Sequence, residues 1–211
     1  NAPTVFNAAF NFRNFWDGRA NNLFNGESPW GARDPNAGVW VTVAGKPLKQ
    51  RILLTNASLA SQAVGPALND VEMSCANRKF PELGRKLLLR RVLENQSVHS
   101  EDSVLGSLVD ASGKGLKLPY RYMIEKAFNK RYWDNKGVFG KGSSGTGYSQ
   151  MEANFAFFFG LAIKLYEETL ISDKTKFDNH RDDNNIPEEY TDAEARGLAV
   201  FMDAHCANCH T

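Results

Sequence analysis

The chain lacks any hydrophobic run that could cross a bilayer: its longest nearly uncharged stretch, residues 153–163, falls short of the roughly 20 residues a spanning helix needs. It also lacks charge imbalance. Lys and Arg number 25 against 24 Asp and Glu, a formal net charge of +1 in 211 residues, which points to neither a nucleic-acid partner nor disorder. No strand-rich region is visible, so the expected fold class is all-α. The start, Asn1-Ala2-Pro3, holds neither an initiator Met nor a signal peptide. Cysteine is scarce too: three residues, two of them in one motif at the far end.

That motif is Cys206-Ala207-Asn208-Cys209-His210. A Cys-x-x-Cys-His run reads as a covalent attachment site for haem c: the thiols form thioethers with the two porphyrin vinyl groups, and the His ligates the iron. A zinc knuckle would need two further soft ligands, and only Cys75 remains. A thioredoxin-like pair would follow a βαβ pattern, which is absent. Cys75 itself is expected to be a buried small hydrophobe. Because the sequence stops one residue after His210, we expect an internal segment of a longer polypeptide.

The remaining pattern is helical. Residues 1–20 are expected to be irregular with a short helix near Ala8, and residues 21–46, rich in Asn, Gly and Pro, a long loop. Pro47 is predicted to open a helix through residue 60 that buries Leu48, Ile52, Leu53 and Leu59. Further helices are predicted from Pro81 to Leu88 and from Pro119 onward, and a central one from the capping box Ser149-Gln150-Met151-Glu152 to about residue 171. The box Thr191-Asp192-Ala193-Glu194 starts a last helix that delivers the haem motif. Two lookalikes fail. Residues 137–147 carry five glycines but no Gly-Lys-Ser/Thr ending, and the acids at 182–185 lack the glycine and spaced glutamate of an EF-hand.

Several stretches recur in family order from one end of the chain to the other: Asn1-Ala2-Pro3-Thr4-Val5-Phe6-Asn7, Phe15-Trp16-Asp17-Gly18-Arg19-Ala20, Gln62-Ala63-Val64-Gly65-Pro66, Val71-Glu72-Met73, Phe177-Asp178 and residues 197–211. By these the chain resembles the bacterial di-haem cytochrome c peroxidases. The resemblance implies a cytochrome c-like di-haem peroxidase architecture of which this is a partial segment. Residues 1–171 would be the remainder of an N-terminal domain with enlarged loops, 172–190 a linker, and 191–211 the start of a second cytochrome c domain. One covalent haem c would sit on this chain with His210 as proximal ligand, and a second on the preceding part.

The same resemblance makes Glu72 the acid/base on peroxide, Gln62 its hydrogen-bonding partner, and Trp16 a carrier or tuner of electrons between haems. Asn1 would offer an oxygen to Ca²⁺. An electron donor such as a small cytochrome or cupredoxin, a periplasmic or extracellular location and a homodimer are implied too. Met73, Met123, Met151 and Met202 are expected to pack, His99 and His180 to lie on the surface. His205 is too near Cys206 to reach the haem's opposite side. The enlarged loops are similar to those of rubber-cleaving di-haem oxygenases, where an aromatic shapes the distal pocket; Trp30 is the candidate, with loop packing its alternative. A non-enzymatic electron carrier and an oxygenase remain competing readings.

Overall fold

The computed structural model describes residues 4–209, which form two compact units, one ending at Leu170 and the other beginning at Ile171. The first contains an antiparallel pair of strands, β1 (Val39–Val43) and β2 (Lys46–Gln50), and the helices α1 (Ser58–Ala63), α2 (Phe80–Leu87), α3 (Tyr120–Ala127), α4 (Gln150–Ala153) and α5 (Phe155–Glu167). The second contains α6 (Asp192–Asp203). Regular structure is therefore mostly helical with one small sheet, and long irregular segments join the elements.

The core of the first unit is built around α5. Its run Phe155, Ala156, Phe157, Phe158 is buried, and aromatic rings from other segments meet it, with Phe128 edge-on to Phe158 at 4.7 Å between ring centres. Such edge contacts add to the burial of large apolar rings. Two glycines let backbones approach. A Cβ on Gly160 would stand 2.9 Å from Phe24 Cζ and 3.1 Å from the Ala60 carbonyl of α1, and one on Gly84 of α2 would stand 2.7 Å from Phe155 Cβ.

Residues 39–50 depart from the all-helical expectation. Pro47 does not open a helix; it lies in β2 opposite Thr42, within a register running from Val39↔Gln50 to Val43↔Lys46. Ala44 and Gly45 form a two-residue turn with φ of 48° and 77°, which suits a tight hairpin. Alternating β-branched Val39, Val41 and Val43 supply the strand pattern, and β2 has no further strand beside it, a position that tolerates a residue without an N–H. Leu48 and Leu53 are exposed as a result, Leu59 is buried on α1, and the helix begins only at Ser58.

The central helix forms as its capping box predicts but not in one piece. Ser149 Oγ accepts from the Glu152 N–H, and Glu152 Oε2 accepts from the Ser149 N–H at 2.7 Å. Asn154 then interrupts the helix with φ of −94° and ψ of 10°, and its side chain bonds outside the helix. Its Oδ1 accepts from the Trp40 N–H at 2.8 Å and its Nδ2 donates to the Trp40 and Tyr132 carbonyls at 2.8 and 2.7 Å, tying β1 to α5. The helix resumes at Phe155 and ends at Glu167, short of residue 171.

Candidate functional site

The Phe15-Trp16-Asp17-Gly18 turn is closed by the Gly18 N–H on the Phe15 carbonyl at 3.0 Å and by pairing of Asn14 with Ala20. Its neighbour is α1. Asn14 Nδ2 donates to Ser58 Oγ at 3.0 Å, and Ser58 Oγ donates to the Asn11 carbonyl at 2.7 Å. At the other end of α1, the Phe15 ring lies where a Cβ on Gly65 would meet it at 3.3 Å, and the Gly65 N–H donates to the Gln62 carbonyl at 3.1 Å. The turn bearing Trp16 and the helix end bearing Gln62 thus adjoin. Trp16 itself is 98% exposed and is not part of the core of the first unit.

Glu72 sits in a loop organised by Asn69, whose carbonyl accepts from the N–H groups of Glu72, Met73 and Ser74 at 3.2, 3.0 and 2.9 Å. Asn69 Oδ1 also accepts from the Val71 N–H at 3.0 Å. The Glu72 carboxylate is exposed, with no ion pair or hydrogen bond among the described residues. Gln62 is half-buried. The same loop leads to Cys75, which is exposed rather than buried, with Arg78 Nη2 3.4 Å from its sulfur. The packing expectation fails for two methionines: Met151 is buried and Met123 half-buried, but Met73 and Met202 are exposed. His99 and His180 lie on the surface. Trp30 is 44% exposed on a loop, with the Arg33 guanidinium 5.6 Å from its ring centre.

In the second unit, Thr191 caps α6 and Glu194 closes the capping box while pairing with Lys176 at 2.8 Å. The Lys176 ammonium, then the Thr191 N–H and hydroxyl, hold the Glu194 carboxyl down at about 2. After α6, His205 takes a left-handed conformation with φ of 60°, and a tight 3₁₀ turn, Cys206–Asn208, follows. The Cys209 N–H closes that turn on the Cys206 carbonyl at 3.2 Å. Residues three apart in such a turn lie over one another, so the two thiols share a side.

Both thiols are free, Cys206 half-buried and Cys209 exposed, and Val200, Phe201 and Met202 present exposed apolar surface on the preceding helix. Accessible paired thiols beside apolar surface fit a covalent haem. The predicted iron ligand His210 and the predicted calcium ligand Asn1 lie outside the described residues. Among the described residues no cluster of His, Cys, Asp or Glu could hold a metal ion, and no helix is long and apolar enough to cross a membrane.

A profile described as di-haem cytochrome c peroxidase matches residues 1–185, ending before the Cys pair. The chain is similar to a cytochrome c551 peroxidase of Pseudomonas aeruginosa, 27% identical over 215 residues, which cover all of this chain and 36% of that protein. It is also similar to cytochrome c peroxidase Ccp of Escherichia coli, 26% identical over 211 residues, covering all of this chain and 26% of that one. The chain thus spans about a third or less of the curated relatives it matches. No solved structure matches it significantly. With the profile covering most of its length and the whole of this chain aligned to part of each relative, the chain belongs to the di-haem cytochrome c peroxidase family.

Proposed function

We propose that this chain is part of a di-haem c-type cytochrome that reduces hydrogen peroxide, H₂O₂ + 2 e⁻ + 2 H⁺ → 2 H₂O, with electrons relayed through a haem held at Cys206, Cys209 and His210. One observation carries the reading: a di-haem peroxidase match over residues 1–185 is followed in the same chain by accessible paired thiols on a 3₁₀ turn. When bound, haem c supplies the iron centres through which electrons pass. A second haem belongs to another part of the polypeptide.

The residues of this chain bind, orient and move protons. Glu72, whose carboxylate has no partner among the described residues, takes the proton from one peroxide oxygen and returns it to the other, which departs as water. Gln62 holds the peroxide by a hydrogen bond, and Trp16 lies on or beside the electron path between haems. Asn1 contributes an oxygen to Ca²⁺. The electrons come from a small cytochrome or cupredoxin, and the protein works as a homodimer in the periplasm or outside the cell.

The test is Glu72→Gln in the full-length holoprotein. Positioned acid/base groups contribute about 10² to 10⁴ in rate, so turnover should fall by that order with both haems retained. Near-normal peroxidase activity would remove Glu72 from the mechanism.

A further inference from the structure

A cleft of about 600 Å³ opens in the first unit between the turn carrying Asp17 and the 3₁₀ turn Gly31–Arg33. Its wall sets three arginines, Arg13, Arg19 and Arg33, against one carboxylate, Asp17, a balance of +2. Arg19 is already engaged, with Nη1 3.0 Å from Asp17 Oδ2 and its guanidinium 4.1 Å from the centre of the Phe15 ring. Arg13 and Arg33 have no carboxylate partner among the described residues. Arg13 Nη1 donates only to the Gly18 carbonyl, at 3.3 Å, and Arg33 lies beside the Trp30 ring. The adjacent Asp34 carboxylate is turned away, accepting from Ser28 Oγ at 2.8 Å.

A buried amide completes the wall. Asn21 is 8% exposed and lines the cleft; its Oδ1 accepts from the Leu23 N–H at 2.9 Å, but its Nδ2 donates to no described residue. Gly31 makes room for it. With φ at +58°, a Cβ there would stand 2.6 Å from Asn21 Cγ. The half-exposed Trp30 ring adds a flat face to the same wall.

We propose that this cleft binds a planar aromatic carboxylate. Guanidinium forks match the two oxygens of a carboxylate, and the Asn21 Nδ2 donor, open to the cleft and without a protein acceptor, is free to donate to one of them. An indole face flanked by a guanidinium favours a flat ring. Arg13 and Arg33 hold the carboxylate, Asn21 Nδ2 donates to it, and Trp30 stacks on the ring. Gln62, Glu72 and the Cys pair do not line the cleft, while Asp17, Gly18 and Arg19 of the turn bearing Trp16 do. Two sources share this chemistry: a free aromatic acid, and a propionate-bearing edge of the protein's own haem.

Titration calorimetry on the full-length holoprotein with benzoate, neutral benzamide and inorganic phosphate tests the site, alongside Arg13→Gln, Arg33→Gln, Trp30→Leu and the exposed control Lys46→Gln. If a free acid is the ligand, benzoate binds while benzamide and phosphate do not. Each arginine variant then weakens benzoate by about tenfold or more, the worth of one charged hydrogen bond, and the control leaves it unchanged. If the protein's own haem fills the cleft, benzoate does not bind, and both arginine variants shift a haem midpoint potential that the control leaves in place. Benzoate binding indifferent to Arg13, Arg33 and Trp30, tighter binding of phosphate, or no binding with unchanged potentials would each overturn the proposal.

Discussion

Asn154 joins three backbone groups from two other segments while only 2% exposed, so its loss strands the Trp40 N–H and the Tyr132 carbonyl, whereas the Trp40 carbonyl keeps its bond from Gln150 Nε2 at 3.0 Å. Asn154→Ala should lower stability by about 3 kcal/mol, read as a shifted urea midpoint, because each stranded buried group costs on the order of 1–3 kcal/mol. An unchanged midpoint would mean that water replaces the amide. Glu82 makes a different kind of tether. It accepts from the Ser143 N–H and hydroxyl at 3.1 and 2.9 Å, and these bonds, with one from the Lys79 N–H, hold its carboxyl at about 2. A depressed carboxyl contributes stability above its unfolded value of about 4.3 and loses it as pH falls through the folded value, so the tether should release between about pH 4 and pH 2. Protection of the amides in residues 141–147, read as exchange relative to its intrinsic rate at each pH, should fall over that window in the parent but not in Glu82→Gln; an equal fall in both proteins would sink the tether. The sequence names the residue types at such sites but not their partners. Asn154 reads as one polar position in an apolar helix, and nothing in the spacing of Arg13, Arg19 and Arg33 tells that they line one cleft.

Capped helices were legible and the hairpin was not, for a physical reason. The Ser149 and Thr191 boxes are local, since their bonding partners lie three residues away, and both form as the sequence predicts. In residues 39–50 local signals conflict: Pro47 and the spaced Leu48, Ile52 and Leu53 suit a helix start, while Val39, Val41 and Val43 around Ala44-Gly45 suit a hairpin. The long-range bonds from Trp40 to Asn154 and Gln150 favour the strand, and no window of sequence contains them. Packing of α5 on α1 is similarly remote and depends on Gly160. A methyl there meets the Ala60 carbonyl at 3.1 Å and the Phe24 ring at 2.9 Å, and a backbone oxygen cannot rotate aside. Gly160→Ala should therefore cost about 1–3 kcal/mol through overpacking, against a helix-propensity gain of about 1 kcal/mol. A melting temperature at or above that of the parent would show that the two helices can separate without loss.

In the first unit Phe10, Phe12, Trp16 and Val71 are exposed, and in the second Val200 and Met202 of α6 are exposed close in sequence to the free thiols. Single exposed apolar residues are ordinary, but several aromatics within seven positions are a surface that water covers poorly. Haem is a large apolar ring whose burial is favourable in proportion to the area covered. The family match extends over residues 1–185, upstream of the Cys206–Cys209 pair, so the exposed segment around Trp16 lies in sequence that belongs to a di-haem family apart from this chain's own attachment motif. If Trp16 serves passage between haems, the full-length polypeptide must carry two. Intact mass together with a pyridine haemochrome count should show two covalent haems per polypeptide, and replacing both Cys206 and Cys209 by Ser should remove one of them while leaving the other attached. A single haem in the parent protein, or two haems surviving the double replacement, would overturn the assignment of the Cys pair and with it the relay proposed for this chain.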